Sequence, residues 1–142
     1  MEHIAIMRKS WKLLPKILNG EKKIESRWYK SKYPPWGKIK LGEIVYFKDS
    51  GDPVSLKAEV EKIMQFSDLD SKKVKEILEK YAKDDGIEQR KEEFFEMFKD
   101  KNYCMLIFLK NPEKIKPFAI SKKGFGMMAS WICIDDINKI RK

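Results

Sequence analysis

The chain has 142 residues, 42% of them hydrophobic and 12% aromatic, which suits one domain with a sizeable core and excludes a disordered chain. Lys and Arg outnumber Asp and Glu by 31 to 22, so the net charge of +9 favours polyanionic partners. Residues 1–48 carry 12 basic and 4 acidic side chains, whereas residues 49–110 carry 12 and 15, and residues 111–142 carry 7 and 3. If the two ends of the chain meet, one face of the protein will be basic.

Several classes of protein are disfavoured by what the sequence lacks. There is no secretory signal pattern and no apolar run of the roughly 20 residues that span a bilayer, so we expect a cytoplasmic protein without membrane contact. Cys104 and Cys133 lie in separate apolar runs and fit buried free thiols. His3 is the single histidine, so neither a hydrolytic triad nor a zinc site has enough members. We therefore predict no metal and no cofactor.

The N-terminal part predicts a strand, a helix and a second strand. Residues 3–7 form an apolar run of strand length, and the apolar spacing that follows predicts a helix whose regular part begins near Leu14. Gly20 ends this helix, because glycine adopts a positive φ at least cost. In an extended segment 23–28, the two-residue period places Lys23, Glu25 and Arg27 on one ionic face. That face fits either a solvated surface or the wall of a binding cleft.

The next segment, residues 29–40, is a loop that interleaves aromatic side chains and lysines. Aromatic faces stack on bases while lysines hold phosphates, so this composition suits single-stranded nucleic acid; a loop packed on the domain is the alternative. Residues 43–63 predict a β-hairpin, in which the second strand has the cleanest alternation of apolar and polar residues. Residues 67–83 predict a helix capped by Asp70 or Ser71, and residues 88–98 predict another. The two helices form an acid-rich insertion or cover.

The last third predicts mainly strands. The almost continuous apolar run at residues 103–110 predicts a strand in the centre of the sheet, and Pro112 and Pro117 then frame an edge. Residues 118–120 predict a short strand and residues 130–134 a closing one. Asp135 is positioned to cap a final short helix that reaches Lys142.

The octet G-E-K-K-I-E-S-R, from Gly20 to Arg27, resembles the G-x-K-x-x-E-x-R signature of ASCH domains, which belong to the PUA-like superfamily. Further matches follow in the expected order at residues 35–38, 41–43, 45–48, 58–60 and 129–132. The resemblance implies an α+β fold, a small β-barrel of about six mostly antiparallel strands with flanking helices. It would cover residues 1–142 as a single domain, with a helical segment at about residues 67–98.

The resemblance also implies a basic cleft that binds RNA or a modified nucleobase. The residues expected to bind nucleic acid, with three tryptophans that we add as stacking candidates, are Lys22, Lys23, Glu25, Arg27, Trp28, Trp36, Lys38, Lys48 and Trp131.

Two other functions are open. Some ASCH proteins are amidohydrolases that deacylate acetylated cytidine with a lysine nucleophile, a threonine and an acid, and others have been linked to RNA cleavage. Lys22 matches the lysine, Glu25 stands at the threonine position, and Asp85 is the candidate acid, so these three would be catalytic in a metal-independent hydrolase. A nucleophilic Lys22 needs a lowered pKa, which Arg27 favours and Glu25 opposes. In the third reading, the helices at residues 67–98 dock a protein partner.

Overall fold

The computed structural model describes residues 1–142. It contains strands β1 (Glu2–Met7), β2 (Ile24–Tyr29), β3 (Ile44–Asp49), β4 (Val54–Phe66), β5 (Tyr103–Phe118) and β6 (Trp131–Ile134). The helices are α1 (Leu14–Leu18), α2 (Ser71–Tyr81) and α3 (Lys91–Phe98), with short 3-10 turns at Lys9–Trp11, Glu88–Arg90 and Ile137–Lys139.

The six strands form one sheet in the order β2-β5-β4-β3-β1-β6. Only β1 and β3 are parallel, and the other four neighbouring pairs are antiparallel. The sheet curls into a half-barrel, and this curl lets Arg27 on edge strand β2 donate across the opening to the carbonyl of Ser130, which immediately precedes edge strand β6. The predicted α+β class with six mostly antiparallel strands is confirmed.

The two basic ends of the chain do meet. The N-terminal strand β1 pairs with the last strand, β6, over the register from Glu2 opposite Ile134 to Ala5 opposite Trp131. The geometric condition for a one-sided basic surface is therefore fulfilled.

The strand predicted at residues 103–110 is longer in the structure. Strand β5 continues through Pro112 and Pro117 to Phe118, paired with β4 across three shifts of register. Strand β2 flanks β5 only as far as Phe108, so the later part of β5 has one free edge, where a proline need not donate a ladder hydrogen bond. The separate strand predicted at residues 118–120 is absent, and Ile120 makes only an isolated bridge with Arg141.

Two helix predictions also need correction. The helix predicted from residue 88 begins at Lys91, after a 3-10 turn. The C-terminal helix is only the 3-10 turn Ile137–Lys139, and it is capped by Asp136 rather than Asp135, because the Asp136 carboxylate accepts from the backbone N–H of Asn138 at 2.9 Å. Asp70 caps α2 as predicted, by accepting from the N–H of Lys73 at 2.8 Å.

The helices cover one side of the sheet with buried apolar side chains. The larger of two apolar clusters contains residues of all six strands, although β6 contributes only its first residue, Trp131. The helices add to this cluster Val74, Ile77 and Leu78 of α2 and Phe94 of α3. A smaller cluster lies under the C-terminal segment around Ile132. Each fully buried side chain of this kind contributes about 1.5–3 kcal/mol, so α2 and α3 are held firmly beside β2 and β5.

None of the three helices is both long and apolar enough to cross a membrane. Both cysteines are free; Cys104 is buried as expected, whereas Cys133 is half-buried. Burial raises the pKa of the Cys133 thiol to about 11, so it is protonated and unreactive at neutral pH.

Candidate functional site

A cleft of about 540 Å³ lies along the opening of the half-barrel. Strand β2 forms one side, the segment after β1 and the loop before β6 form the other, and α3 contributes aromatic side chains. The cleft is thus bounded by the two edges of the sheet, where backbone pairing does not close the barrel.

The turn between α1 and β2 directs Lys22 into this cleft. Gly20 has a φ of +85° and ends α1, and the N–H of Lys22 then donates to the carbonyl of Lys16 at 2.9 Å. The next two N–H groups, of Lys23 and Ile24, both donate to the carbonyl of Asp84. These bonds fasten the start of β2 to the loop after α2 and bring Asp85 next to Lys22.

The Lys22 ammonium is buried, with 2% of the residue exposed, and all its protons have acceptors. Nζ donates to the carbonyl of Ile24 at 2.6 Å, to the carbonyl of Asp85 at 2.7 Å and to Oδ1 of Asp85 at 2.7 Å. Oε1 of Glu25 lies 3.1 Å away. This set compensates for removing the charge from water.

Glu25 joins the lysine to Arg27. Its Oε2 lies 2.9 Å from Nε and 2.7 Å from Nη2 of the Arg27 guanidinium, which also donates to the carbonyl of Ser130 at 3.1 Å. We call Lys22, Glu25, Arg27 and Asp85 the ionic cluster. Its two positive and two negative charges cancel, so the cluster itself does not attract a polyanion.

Ser26 completes the buried side of the cleft. Its hydroxyl donates to Oδ2 of Asp85 at 2.5 Å, so both oxygens of that carboxylate are engaged. Ser26 is not among the residues predicted to form the site, although it belongs to the octet that resembles the ASCH signature.

The protonation states in the cluster follow from competing effects. Burial alone would lower the pKa of Lys22, but Asp85 and Glu25 outweigh burial and raise it. Burial alone would raise the pKa of Glu25, but Lys22 and Arg27 lower it. For Asp85, burial raises the pKa, and the attraction of Lys22 does not reverse this. Lys22 is therefore an ammonium at neutral pH, and the Asp85 carboxylate is protonated more readily than an ordinary aspartate.

The walls of the cleft are aromatic or methionine side chains. Trp28 stacks on Phe98 with ring centroids 4.9 Å apart and planes 6° from parallel. The Nε1 of Trp28 is buried and has no hydrogen-bond partner. Met127 and Met128, in the loop before β6, line the cleft and are 86% and 94% exposed.

Two cations lie at the more exposed rim, and neither was predicted from the sequence. Arg8 follows β1, and Lys122 holds the loop before β6 by donating to the carbonyls of Met127 at 2.7 Å and Ala129 at 2.9 Å. In the sequence, Lys122 lies in a basic segment with two glycines, residues 121–126, and this composition could have indicated a phosphate-binding loop.

Of the predicted site residues, the structure brings together in the cleft Lys22, Glu25, Arg27, Trp28 and Asp85. It does not bring the following to the cleft lining: Lys23, Trp36, Lys38, Lys48 and Trp131.

The alternation predicted for residues 23–28 does not include Lys23 in the structure. Because β2 begins at Ile24, Lys22 turns inward before the strand and Lys23 points to solvent. Lys48 lies close enough to Lys122 that burial and this neighbouring charge both lower the pKa of Lys48.

The two tryptophans outside the cleft contact other side chains of the protein. Trp36 packs edge-on against Tyr103, with centroids 5.1 Å apart. Trp131 is 5% exposed, donates its indole N–H to Nδ1 of His3 at 3.1 Å, and carries the Arg27 guanidinium 5.0 Å from its ring. Trp131 thus orients Arg27 from behind the cleft.

No group of three or more His, Cys, Asp or Glu side chains in the chain is arranged to hold a metal ion.

Neither a protein-family model nor a curated protein sequence matches the chain. Three solved structures of an ASCH protein from Zymomonas mobilis do match. A Tyr-to-Phe variant gives a TM-score of 0.69 at 17% identity, over 97% of this chain and 93% of that one. A second structure gives 0.65 at 18% identity, over 94% and 87%, and a Ser-to-Ala variant gives 0.67 at 16%, over 97% and 91%.

The fold is therefore an α+β half-barrel with a cleft between its edge strands. In particular, the chain has the fold of an ASCH domain, as the octet at Gly20 to Arg27 predicts.

Proposed function

We propose that this protein binds RNA by holding one nucleobase, ordinary or modified, in the cleft. The observation that carries the proposal is the buried ionic cluster at the bottom of an aromatic-walled cleft. Buried charges cost several kcal/mol to desolvate, and perturbed ionisable groups in a concave, mostly apolar pocket are a characteristic of binding and catalytic sites.

The chemistry of the cleft matches that of a base. A nucleobase has apolar faces and a polar edge, and the cleft offers aromatic and methionine walls beside Ser26, Glu25 and Arg27. The unpaired N–H of Trp28 is a donor for an acceptor on the base edge, such as a carbonyl oxygen. Because the ionic cluster is neutral overall, phosphate attraction comes from the rim cations Arg8 and Lys122 and should weaken as salt rises.

A substitution that fills the cleft without removing a charge tests this proposal. Ser130 lines the cleft and is exposed, and only its backbone carbonyl is bound by Arg27. We expect Ser130→Trp to weaken the binding of labelled single-stranded RNA by at least about tenfold, because the indole takes volume that a base needs. Ser67→Trp, at an exposed serine outside the cleft, is the matched control. Equal affinities of the two variants, measured by fluorescence anisotropy, would contradict the proposal.

A second candidate is a metal-independent hydrolase acting on acylated cytidine or on RNA, and the contact between Ser26 and Asp85 favours it. A hydroxyl, a carboxylate and an ammonium in contact can stabilise charge and move protons during acyl or phosphoryl transfer. With its pKa raised, Lys22 suits stabilisation of a developing oxyanion. To attack as an amine, it must first pass a proton from Nζ to Oδ1 of Asp85, 2.7 Å away.

The hydrolase is tested by incubating the protein with acetylcytidine and with RNA and separating the products by chromatography. We expect Ser26→Ala, which removes the hydroxyl and keeps the Lys22–Asp85 ion pair, to lower any turnover strongly, and Ser67→Ala at an exposed serine outside the cleft to retain it. Absence of turnover by the native protein on both substrates would eliminate this candidate and leave binding alone.

A further inference from the structure

The loop between β2 and β3 begins at the cleft. Tyr29, the last residue of β2, lines the cleft, and its hydroxyl donates to the carbonyl of Pro34 at 3.0 Å. Its ring meets the ring of Tyr33 edge-on, with centroids 6.0 Å apart. Tyr33 therefore lies beside the cleft, separated from it by the side chain of Tyr29.

Tyr33 is the most exposed aromatic side chain of the protein, at 59%. The two nearest aromatic residues in the sequence are less accessible, since Tyr29 lines the cleft and Trp36 packs on Tyr103. Tyr33 makes an edge-to-face contact with one neighbouring ring and is otherwise largely exposed, and single-stranded nucleic acids stack their bases on exposed aromatic rings of this kind.

The charged residues of the loop that contains Tyr33 are all lysines. No Asp or Glu occurs between Glu25 and Glu43, whereas the loop carries Lys30, Lys32, Lys38 and Lys40. None of these lysines has a carboxylate within ion-pair distance. An acidic peptide would use the lysines but not the exposed ring, so the combination favours a nucleic acid over a protein.

We infer that residues 30–40 form a second subsite, in which Tyr33 stacks on a base adjacent in sequence to the one in the cleft and the loop lysines contact the flanking phosphates. The inference rests on the proposed function and specifies its ligand: single-stranded RNA of several nucleotides, not a free nucleoside. It assigns the stacking role to Tyr33 in place of Trp36 and Trp131.

The test compares two ligands, a labelled single-stranded RNA of about six nucleotides and the nucleoside monophosphates, with the full chain. Tyr33→Ala should weaken RNA binding about tenfold, within the range for losing one base–aromatic stack, and leave monophosphate binding unchanged. Tyr33→Phe keeps the ring and should bind RNA like the native protein.

A second pair of variants isolates the loop lysines. Replacing Lys30 and Lys32 by alanine should weaken RNA binding and flatten its salt dependence more than replacing the exposed Lys72 and Lys75 of α2, which changes the net charge equally. Equal effects of the two pairs would overturn the loop as a specific subsite. A polyglutamate peptide that competes as well as the RNA would do the same.

The outcomes separate this inference from the proposed function. If Ser130→Trp weakens both ligands while Tyr33→Ala weakens neither, the subsite is wrong and the cleft stands. If Tyr33→Ala weakens RNA binding while Ser130→Trp changes nothing, the loop binds RNA and the base in the cleft is wrong. If Tyr33→Ala weakens monophosphate binding as much as RNA binding, Tyr33 belongs to the cleft and the second subsite is overturned.

Discussion

Nζ of Lys22 lies 2.7 Å from Oδ1 of Asp85, although the two residues are 63 positions apart in the chain. The contact joins the start of β2 to the loop after α2, and it is buried on both sides. The cleft therefore depends on packing of the helical segment against the sheet, because without α2 the lysine would lose its main counter-ion.

Loss of the Lys22 charge should destabilise the protein strongly. Lys22→Met leaves Asp85 and Glu25 buried without their cation, and breaking a buried ion pair in this way costs about 3–5 kcal/mol. Lys23→Met removes the same charge from an exposed neighbour and should change the free energy of unfolding by no more than about 0.5 kcal/mol. Urea unfolding of both variants measures the difference, and equal stabilities would show that the pair contributes nothing net.

Gly86 should be intolerant of a side chain because it faces the stem of Lys22. It has a φ of +78°, and a Cβ there would lie 3.1 Å from Cβ of Lys22. Gly51 has a similar φ of +86° but open space around it, so Gly51→Ala carries only the backbone strain of about 1–2 kcal/mol. We expect Gly86→Ala to lower the thermal midpoint further than Gly51→Ala. Matching midpoints would mean that the lysine stem moves aside freely.

The stability of the fold should fall on mild acidification because of His3. Burial lowers the pKa of His3 below 6.5, against the opposing pull of Glu43, and Nδ1 already accepts from Trp131. A group with a lowered folded-state pKa contributes stability above its unfolded pKa and loses it as the pH falls through the folded value. Unfolding free energies should thus decline from pH 7.5 to 5.5, above the range in which Glu43 titrates.

The control for this decline is His3→Leu, which cannot titrate. It should be less stable at every pH, because Glu43 and Trp131 lose a partner, but its stability should change little between pH 7.5 and 5.5. A slope equal to that of the native protein would place the titration elsewhere.

The sequence could predict what is local and periodic. The alternating pattern, the glycine after α1 and the octet placed Lys22, Glu25 and Arg27 at one site, and the cap at Asp70 was also foreseen. Whether a side chain is accessible to a ligand depends on segments that are distant in the sequence. Trp131 and Trp28 both lie in strands, yet the indole N–H of Trp131 is bound by His3 and its ring is covered by Arg27. The passage of β5 through Pro112 likewise depends on β2 ending early and leaving a free edge.

The unpaired N–H of Trp28 predicts a specific loss of affinity. Trp28→Phe keeps an aromatic ring against Phe98 and removes only the donor. If a ligand acceptor uses this N–H, RNA binding should weaken about three- to tenfold, as for the loss of one net hydrogen bond. Isothermal titration of both proteins gives the comparison. Unchanged affinity would remove Trp28 from base recognition and leave it a wall residue.

The central claim is that a base enters the cleft, and chemical-shift mapping tests it most directly. Backbone amide signals are followed while a short single-stranded RNA is added to the full chain. We predict that the largest shifts cluster at residues 22–29, 85–86 and 127–130, with a second group at residues 30–40. Shifts confined to α2 or to the free edge of β5, with the cleft residues unmoved, would contradict the claim.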